Sequence, residues 1–121
     1  MVDGENRAAL ETLYRDSMYV ARYREYKEYG ITCHELMAEE GPYRCRVSFS
    51  FGARPGEMTD SMTLLDMQAK VFCAPELEIL EGSVVRIVRP GGKVLHFEAS
   101  GTPAWYPSHQ EVPLRATKRE A

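Results

Sequence analysis

The chain reads as a mainly β protein: a small antiparallel β-barrel of five or six strands with a short N-terminal helix and one long loop. Three observations predict this. The segment YRCRVSFSF alternates strictly, with Tyr43, Cys45, Val47, Phe49 and Phe51 on one side and Arg44, Arg46, Ser48 and Ser50 on the other, as in a strand with one buried face. SVVRIVR (Ser83 to Arg89) and VLHFEAS (Val94 to Ser100) flank Pro90-Gly91-Gly92, a hairpin signal. Helical periodicity is confined to the beginning of the chain, and short strands with turn punctuation follow it.

Residues 4–16 are expected to form the helix, because Ala8, Ala9, Leu10, Leu13 and Tyr14 make an i, i+3, i+4 apolar stripe. From Met18 the period changes. MYVARYREY sets Tyr19, Ala21 and Tyr23 opposite Val20, Arg22 and Arg24, which predicts one strand. Basic residues gather in RYREYK (Arg22 to Lys27), but Glu25 and Glu28 interrupt them, so a salt-laced face is expected. With Tyr14, Tyr26 and Tyr29 nearby, this is the most aromatic part of the chain; packing at a sheet edge and a subunit interface both fit it.

Further on, Val71 to Cys73 is a short strand ending at Ala74-Pro75, and ELEILEG (Glu76 to Gly82) reads as a solvated strand entry. Gly52 to Met67 is the long connection, polar at first and then apolar through Met62, Leu64, Leu65 and Met67. Connections of about 15 residues are uncommon in compact domains and are usually functional or disordered. Trp105 and Tyr106 open a last strand interrupted by Pro107 and Pro113, which predicts a sheet edge or barrel rim. The barrel is thus expected over residues 18–114, with a charged, frayed tail at 115–121.

The length of 121 residues fits a single domain, 1–121. Forty-four per cent hydrophobic and 27% charged residues suffice for a core and a wet surface. No apolar run approaches the roughly 20 residues of a membrane span, and the beginning has neither basic nor apolar signal-peptide regions. No membrane partner and synthesis in the cytoplasm are therefore expected. A net charge of −3 argues against a general phosphate-binding surface.

The chemical inventory is thin. Cys33, Cys45 and Cys73 share no CxxC spacing, and the adjacent Cys33-His34 is a poor ligand pair; reduced, partly buried thiols and no metal are expected. His34, His96 and His109 lie far apart, without a nucleophile in a recognisable setting. In PSHQE, His109 and Glu111 are read as pointing apart, and the His-Gln-Glu triplet is expected to cap backbone groups freed by the prolines. Glu76, Glu78 and Glu81 lack the Asp, Asn and Gly of a calcium loop. Trp105 and Tyr106 could stack on nucleobases, but SGTPAWYPSHQEVP contains no Lys or Arg. No catalytic residue, cofactor or enzyme activity is expected. A small nucleic-acid-binding barrel remains the alternative to a structural protein.

The run SGTPAWYPSHQEVPL (Ser100 to Leu114) matches no nucleotide, metal or nucleophile motif. It resembles the closing segment of the head-completion or "stopper" proteins of tailed phages, in which a Ser-Gly-x-Pro-Ala-x-Tyr-Pro-x-His-Gln-Glu run ends many Gram-positive phage members. YRCRVSFSFG (Tyr43 to Gly52) and KVFCAPELEILEGSVVRIVRPGG (Lys70 to Gly92) extend the resemblance over most of residues 14–114. It implies a virion protein of the neck at the head–tail interface. Such a protein forms a homo-oligomeric ring, with the portal and adaptor on one side and tail proteins on the other, and holds packaged DNA without reading its sequence. A tail-terminator or adaptor of the same neck is the neighbouring possibility.

In stoppers a loop after an early strand converges on the channel. The matching loop is Gly52 to Met67, with Gly52, Pro55 and Gly56 as a flexible base, Met58, Met62, Leu64 and Leu65 as the closing apolar segment, and Asp60 and Asp66 facing DNA. Tyr19, Tyr23, Tyr26, Trp105, Tyr106 and His109 are the expected interface residues. The helical start departs from the shortest members of the family.

Overall fold

The computed structural model describes residues 2–51 and 67–117. One helix, α1 (Val2–Glu11), precedes nine strands: β1 (Asp16–Ala21), β2 (Tyr23–Glu28), β3 (Ile31–Leu36), β4 (Glu40–Phe51), β5 (Met67–Cys73), β6 (Val84–Val88), β7 (Val94–Ala99), β8 (Ala104–Trp105) and β9 (Gln110–Ala116). Six of them close an antiparallel barrel in the order β5-β4-β1-β6-β7-β9, and β9 pairs back onto β5. β8 adds to β9 beyond the end of β7, and β2 with β3 forms a separate two-stranded sheet.

The alternation read in the sequence supplies the core. Cys45, Val47, Val71, Val85, Ile87 and Phe97 are buried, Phe49 and Leu95 pack against them, and Met18, Val112 and Leu114 complete the interior. The rings of Phe49 and Phe97 meet at 6.3 Å across the barrel. Pro90-Gly91-Gly92 does form the β6–β7 turn. Gly91 and Gly92 both have positive φ, near 94° and 93°, and the Arg89 amide donates to the Lys93 carbonyl at 2.8 Å. Gly41 (φ 136°) sits where β4 carries one extra residue opposite β1, between Met18↔Tyr43 and Val20↔Glu40. A Cβ there would lie 2.6 Å from the Met18 carbonyl oxygen, so the bulge requires glycine.

Several expectations are corrected. The helix spans Val2–Glu11 instead of residues 4–16. It ends because the chain tightens at once: Leu13 and Tyr14 donate three residues back, to the Leu10 and Glu11 carbonyls, and Asp16 is drawn into the barrel. There Asp16 is buried, accepting from the Val47 amide at 3.0 Å and from Arg89 Nε at 3.3 Å. No basic residue lies in the last turn of the helix. Arg44 of β4 compensates by donating to the Glu11 carbonyl at 3.0 Å, a cation at the negative helix end.

MYVARYREY is not one strand: β1 stops at Ala21, and β2 starts a projecting hairpin with β3. ELEILEG is no strand entry either but part of the β5–β6 connection, where Glu76 bonds Arg7 and Glu78 bonds Arg22. The segment after Trp105 is no edge: β9 is paired on both sides, and Arg115 and Ala116, expected in a frayed tail, belong to it. Pro113 is tolerated because its carbonyl accepts from the Ser100 amide. Its hydrogen-less nitrogen therefore faces the same side, at the junction between β7, paired up to Leu114, and β8, paired from Glu111. No ladder bond to β5 is lost.

Two outcomes test this packing. Phe97 is 1% exposed, so Phe97→Ala is expected to cost about 3–5 kcal/mol, a large share of the roughly 5–15 kcal/mol of a whole domain; thermal or urea unfolding measures it. Cys45 and Cys73 face each other across β4 and β5 and are fully buried. Burial pushes the Cys73 thiol up to about 12 and the Cys45 thiol higher still, Asp16 adding to the latter. In the folded protein at pH 8 only Cys33, which is half-buried on β3, should react promptly with a thiol reagent, the other two reacting after unfolding. Fast labelling of all three thiols without denaturant would contradict the strand phases.

Candidate interaction surfaces

Six strands alternating in direction give the barrel two different ends. The connection carrying β2 and β3, residues 74–83 between β5 and β6, and residues 100–109 around β8 all lie at one end. At the other end lie the 89–93 turn, the approach to β1, the end of β9, and the points Phe51 and Met67 where β4 stops and β5 starts. The exposed large apolar residues are divided unequally. Tyr23, Tyr29, Ile31, Leu36, Met37, Leu80, Trp105 and Tyr106 occupy the three connections of the first end; among the described residues only Leu13 and Val94 lie elsewhere. Clustered exposed apolar residues mark interaction sites, whereas scattered ones do not.

The β2–β3 hairpin is the most prominent part of this end. Its ladder runs from Tyr23↔Leu36 to Glu28↔Ile31, and Tyr29-Gly30 makes the two-residue turn with φ of 52° and 75°. Those angles belong to the turn type that matches strand twist. Holding Tyr instead of Asn or Gly in the left-handed region costs on the order of 1 kcal/mol, yet Tyr29 as a residue is 95% exposed. Arg24 bonds Glu35 at 2.5 Å and covers the Tyr26 ring at 5.6 Å. The arm's base is held by the Met37 amide donating to the Arg22 carbonyl at 2.7 Å, with Arg22 also paired to Glu40 and Glu78.

The second cluster surrounds the β8–β9 turn. Tyr106 and His109 exchange backbone hydrogen bonds around Pro107-Ser108, and their rings stack at 4.8 Å and 12°. The imidazole also touches the Phe72 ring at 5.9 Å, with Nδ1 3.0 Å from Ser108 Oγ and Nε2 3.1 Å from Glu111 Oε2. The expectation that His109 and Glu111 point apart is thus corrected: residues two apart on a strand share a face. The capping role falls to Gln110 alone, and at a different place. Its buried Nε2 donates to the Ala74 and Leu77 carbonyls at 2.9 and 2.6 Å, holding the β5–β6 connection against β9. Trp105, next to this cluster, is 62% exposed.

Of the six residues expected at an interface, Tyr23, Trp105 and Tyr106 present open surface, whereas Tyr26 and His109 are half-buried within their own clusters. Tyr19 is half-buried on the barrel wall beneath Arg86, whose guanidinium lies 4.1 Å from the ring centroid and pairs with Glu39. Sequence reading missed Ile31, Leu36, Met37 and Leu80; ITCH alternates, but Glu35 and Leu36 break the phase of ITCHELM, so the run gave only a weak strand signal. The expected gate residues Gly52, Pro55, Gly56, Met58, Asp60, Met62, Leu64, Leu65 and Asp66 lie outside the described residues.

The three histidines do not converge, and only His109 carries a hydroxyl and a carboxylate partner, Ser108 and Glu111. His34, His96 and His109 sit on β3, on β7 and at the β8–β9 turn. Among the described residues no three His, Cys, Asp or Glu side chains are placed to share a metal ion, and no helix is long and apolar enough to cross a membrane. A hollow of about 280 Å3 at the helix–barrel seam is lined by Glu11, Tyr14, Tyr43, Arg44 and Leu77 among others. Burial raises the Tyr14 phenol above its ordinary range. No protein-family model, curated protein or solved structure matches the chain.

Proposed function

We propose that this chain is a structural subunit of a tailed-phage neck, one of a ring that closes the head after DNA packaging. The observation that carries the reading is an asymmetry among the described residues: one end of the barrel gathers most of their exposed aromatic and aliphatic side chains, and the segment read as a gate connects strands at the other. A ring subunit between two partners needs a sticky face for its neighbours and a separate element for the channel. The resemblance of SGTPAWYPSHQEVPL and YRCRVSFSFG to stopper proteins supplies the identity of those partners, the portal–adaptor stack and the tail.

Electrostatics favour this over the nucleic-acid-binding alternative. Of the 15 basic residues, seven, Arg7, Arg22, Arg24, Lys70, Arg86, Arg89 and Arg115, are each paired with a carboxylate, and the net charge is −3. Side chains already neutralised contribute little to the phosphate contacts on which such affinity depends. A ring that retains DNA without gripping it has no need of them.

The test is a loop deletion. Phe51 and Met67 are the last paired residues of β4 and β5, so residues 52–66 can be replaced by a two-residue turn without disturbing the ladder. The shortened protein is expected to fold, as judged by circular dichroism and melting, because surface connections contribute little to a core. Capsids assembled with it should package DNA and then lose it. Normal retention by particles that have incorporated the shortened chain would reject the gate, and failure of the full-length chain to join particles would reject the neck assignment.

A further inference from the structure

We propose that the outer edge of β2 is a self-pairing edge: two copies of the chain join antiparallel through it, about a two-fold axis at Tyr26, into a continuous four-stranded sheet β3-β2-β2-β3. The proposal goes beyond the neck reading and does not depend on it.

Within the described residues β2 has one ladder partner, β3. The Met37 amide donates to the Arg22 carbonyl, so even-numbered residues along β2 turn their backbone groups toward β3. Odd-numbered residues, Tyr23, Glu25 and Lys27, therefore turn theirs outward. These outward N–H and C=O groups have no ladder partner, and such an edge is a template for another strand.

Pairing is restricted to registers in which outward residues meet outward residues, since a one-residue slip mismatches both hydrogen bonds and faces. Three such registers are short enough to consider. Centring on Glu25 sets Glu25 against its own copy. Centring on Lys27 sets Lys27 against its own copy. Both put like charges directly opposite, which is destabilising. Centring on Tyr26 matches every pair. Glu25 meets Lys27 twice as a doubly hydrogen-bonded pair, Arg24 meets Glu28 twice on the other face, and the two Tyr26 rings meet at the axis.

A charged edge residue usually blocks association, and Lys27 would do so against most strands. Against a copy of β2 it finds Glu25. None of the ion pairs among the described residues uses Glu25, Lys27 or Glu28, so these charges are not already engaged. The β3 edge has no such self-complementarity: ITCHEL carries Glu35 without a cation to oppose it. The contact is isologous and closes at two copies; a ring with different partners above and below has no such two-fold axis, so this dimer is a form of the free chain and not a contact within the ring.

Charge-swapped variants test this by sedimentation over a concentration series reaching millimolar protein. The unmodified chain is expected to dimerise. Glu25→Lys and Lys27→Glu each create two like-charge oppositions and should each weaken the dimer by about tenfold or more, a loss of roughly 1.4 kcal/mol. The double variant Glu25→Lys/Lys27→Glu should recover the dimer. So should an equimolar mixture of the two single variants, in which an edge carrying lysine at both positions meets an edge carrying glutamate at both. Melting curves should stay unchanged, because the hairpin adds nothing to the barrel core.

A chain that stays monomeric throughout, single variants that dimerise like the parent, or single variants that neither mixing nor doubling rescues would each overturn the proposal. A larger ring insensitive to all variants would overturn it too, while leaving the neck assignment standing. Failure to enter capsids alongside an intact, charge-dependent dimer would do the reverse.

Discussion

Closure of the barrel by β5 and β9 is the constraint on which the rest of the molecule depends. The two strands pair over six positions, from Gln68↔Arg115 to Cys73↔Gln110, although about 40 residues separate them along the chain. Without this pairing the other strands form an open, twisted sheet with two exposed edges and a half-covered apolar face. With it the apolar faces turn inward, and Met18, Val71, Val85, Ile87, Phe97, Val112 and Leu114 are sealed from water. A six-stranded barrel has no room for a ligand inside; side chains fill it, and closure removes the edges. Such non-local pairing has its entropy cost before its reward. That places a premium on strands with one clear inward phase, as in β4, β6 and β7.

Three polar residues finish what apolar burial cannot. Asp16 accepts from the Val47 amide and Arg89 where β1 enters the barrel. Gln110 holds two carbonyls of the β5–β6 connection, and Arg44 holds the helix end. Asp16 and Gln110 pair buried groups that would otherwise cost about 1–3 kcal/mol apiece, whereas the Arg44 bond is exposed and worth less. The surface ion pairs are of another kind. Arg7 with Glu76 shows the direction of the effect, its hydrogen bonds holding the Glu76 carboxyl below the usual range, but both partners are solvent-screened and fix orientation more than stability.

How much of this was legible in the sequence follows from how local each signal is. The barrel class and the phases of β4, β6 and β7 were readable because alternation is a property of neighbouring residues. The break at Arg22 was not: Tyr23 to Glu28 continues the period of Met18 to Ala21, and only the missing core partners show that it has left the barrel. The β2–β3 turn hid behind Tyr29, where Asn would have announced it. Pro113 misled because the rule excluding proline from inner strands assumes neighbours along the whole length, and β9 changes neighbour at that residue. Of the candidate surface, the aromatic density was visible; that Tyr19 is covered by Arg86 while Trp105 stays open depends on cross-strand partners. The His109–Glu111 pair was legible and misread, since it needed only the two-residue repeat.

The closed barrel also explains how so many apolar side chains can be exposed at one end. A domain whose core is complete without the arm can carry one at little cost to its fold. The hairpin itself is weakly held: two strands alone are marginal in water, and the Arg24–Glu35 bond, the Arg24–Tyr26 contact and the ladder contribute about 0.2–1 kcal/mol per cross-strand pair. Against that stands the strained Tyr29. Most of its apolar side chains stay in water, so the arm gains order and buries surface only when something covers it. The barrel wall, having no edge, offers nothing comparable. The core and the proposed self-pairing edge thus lie in two different sheets of one short chain, so substitutions on β2 and β3 leave what keeps the barrel folded untouched.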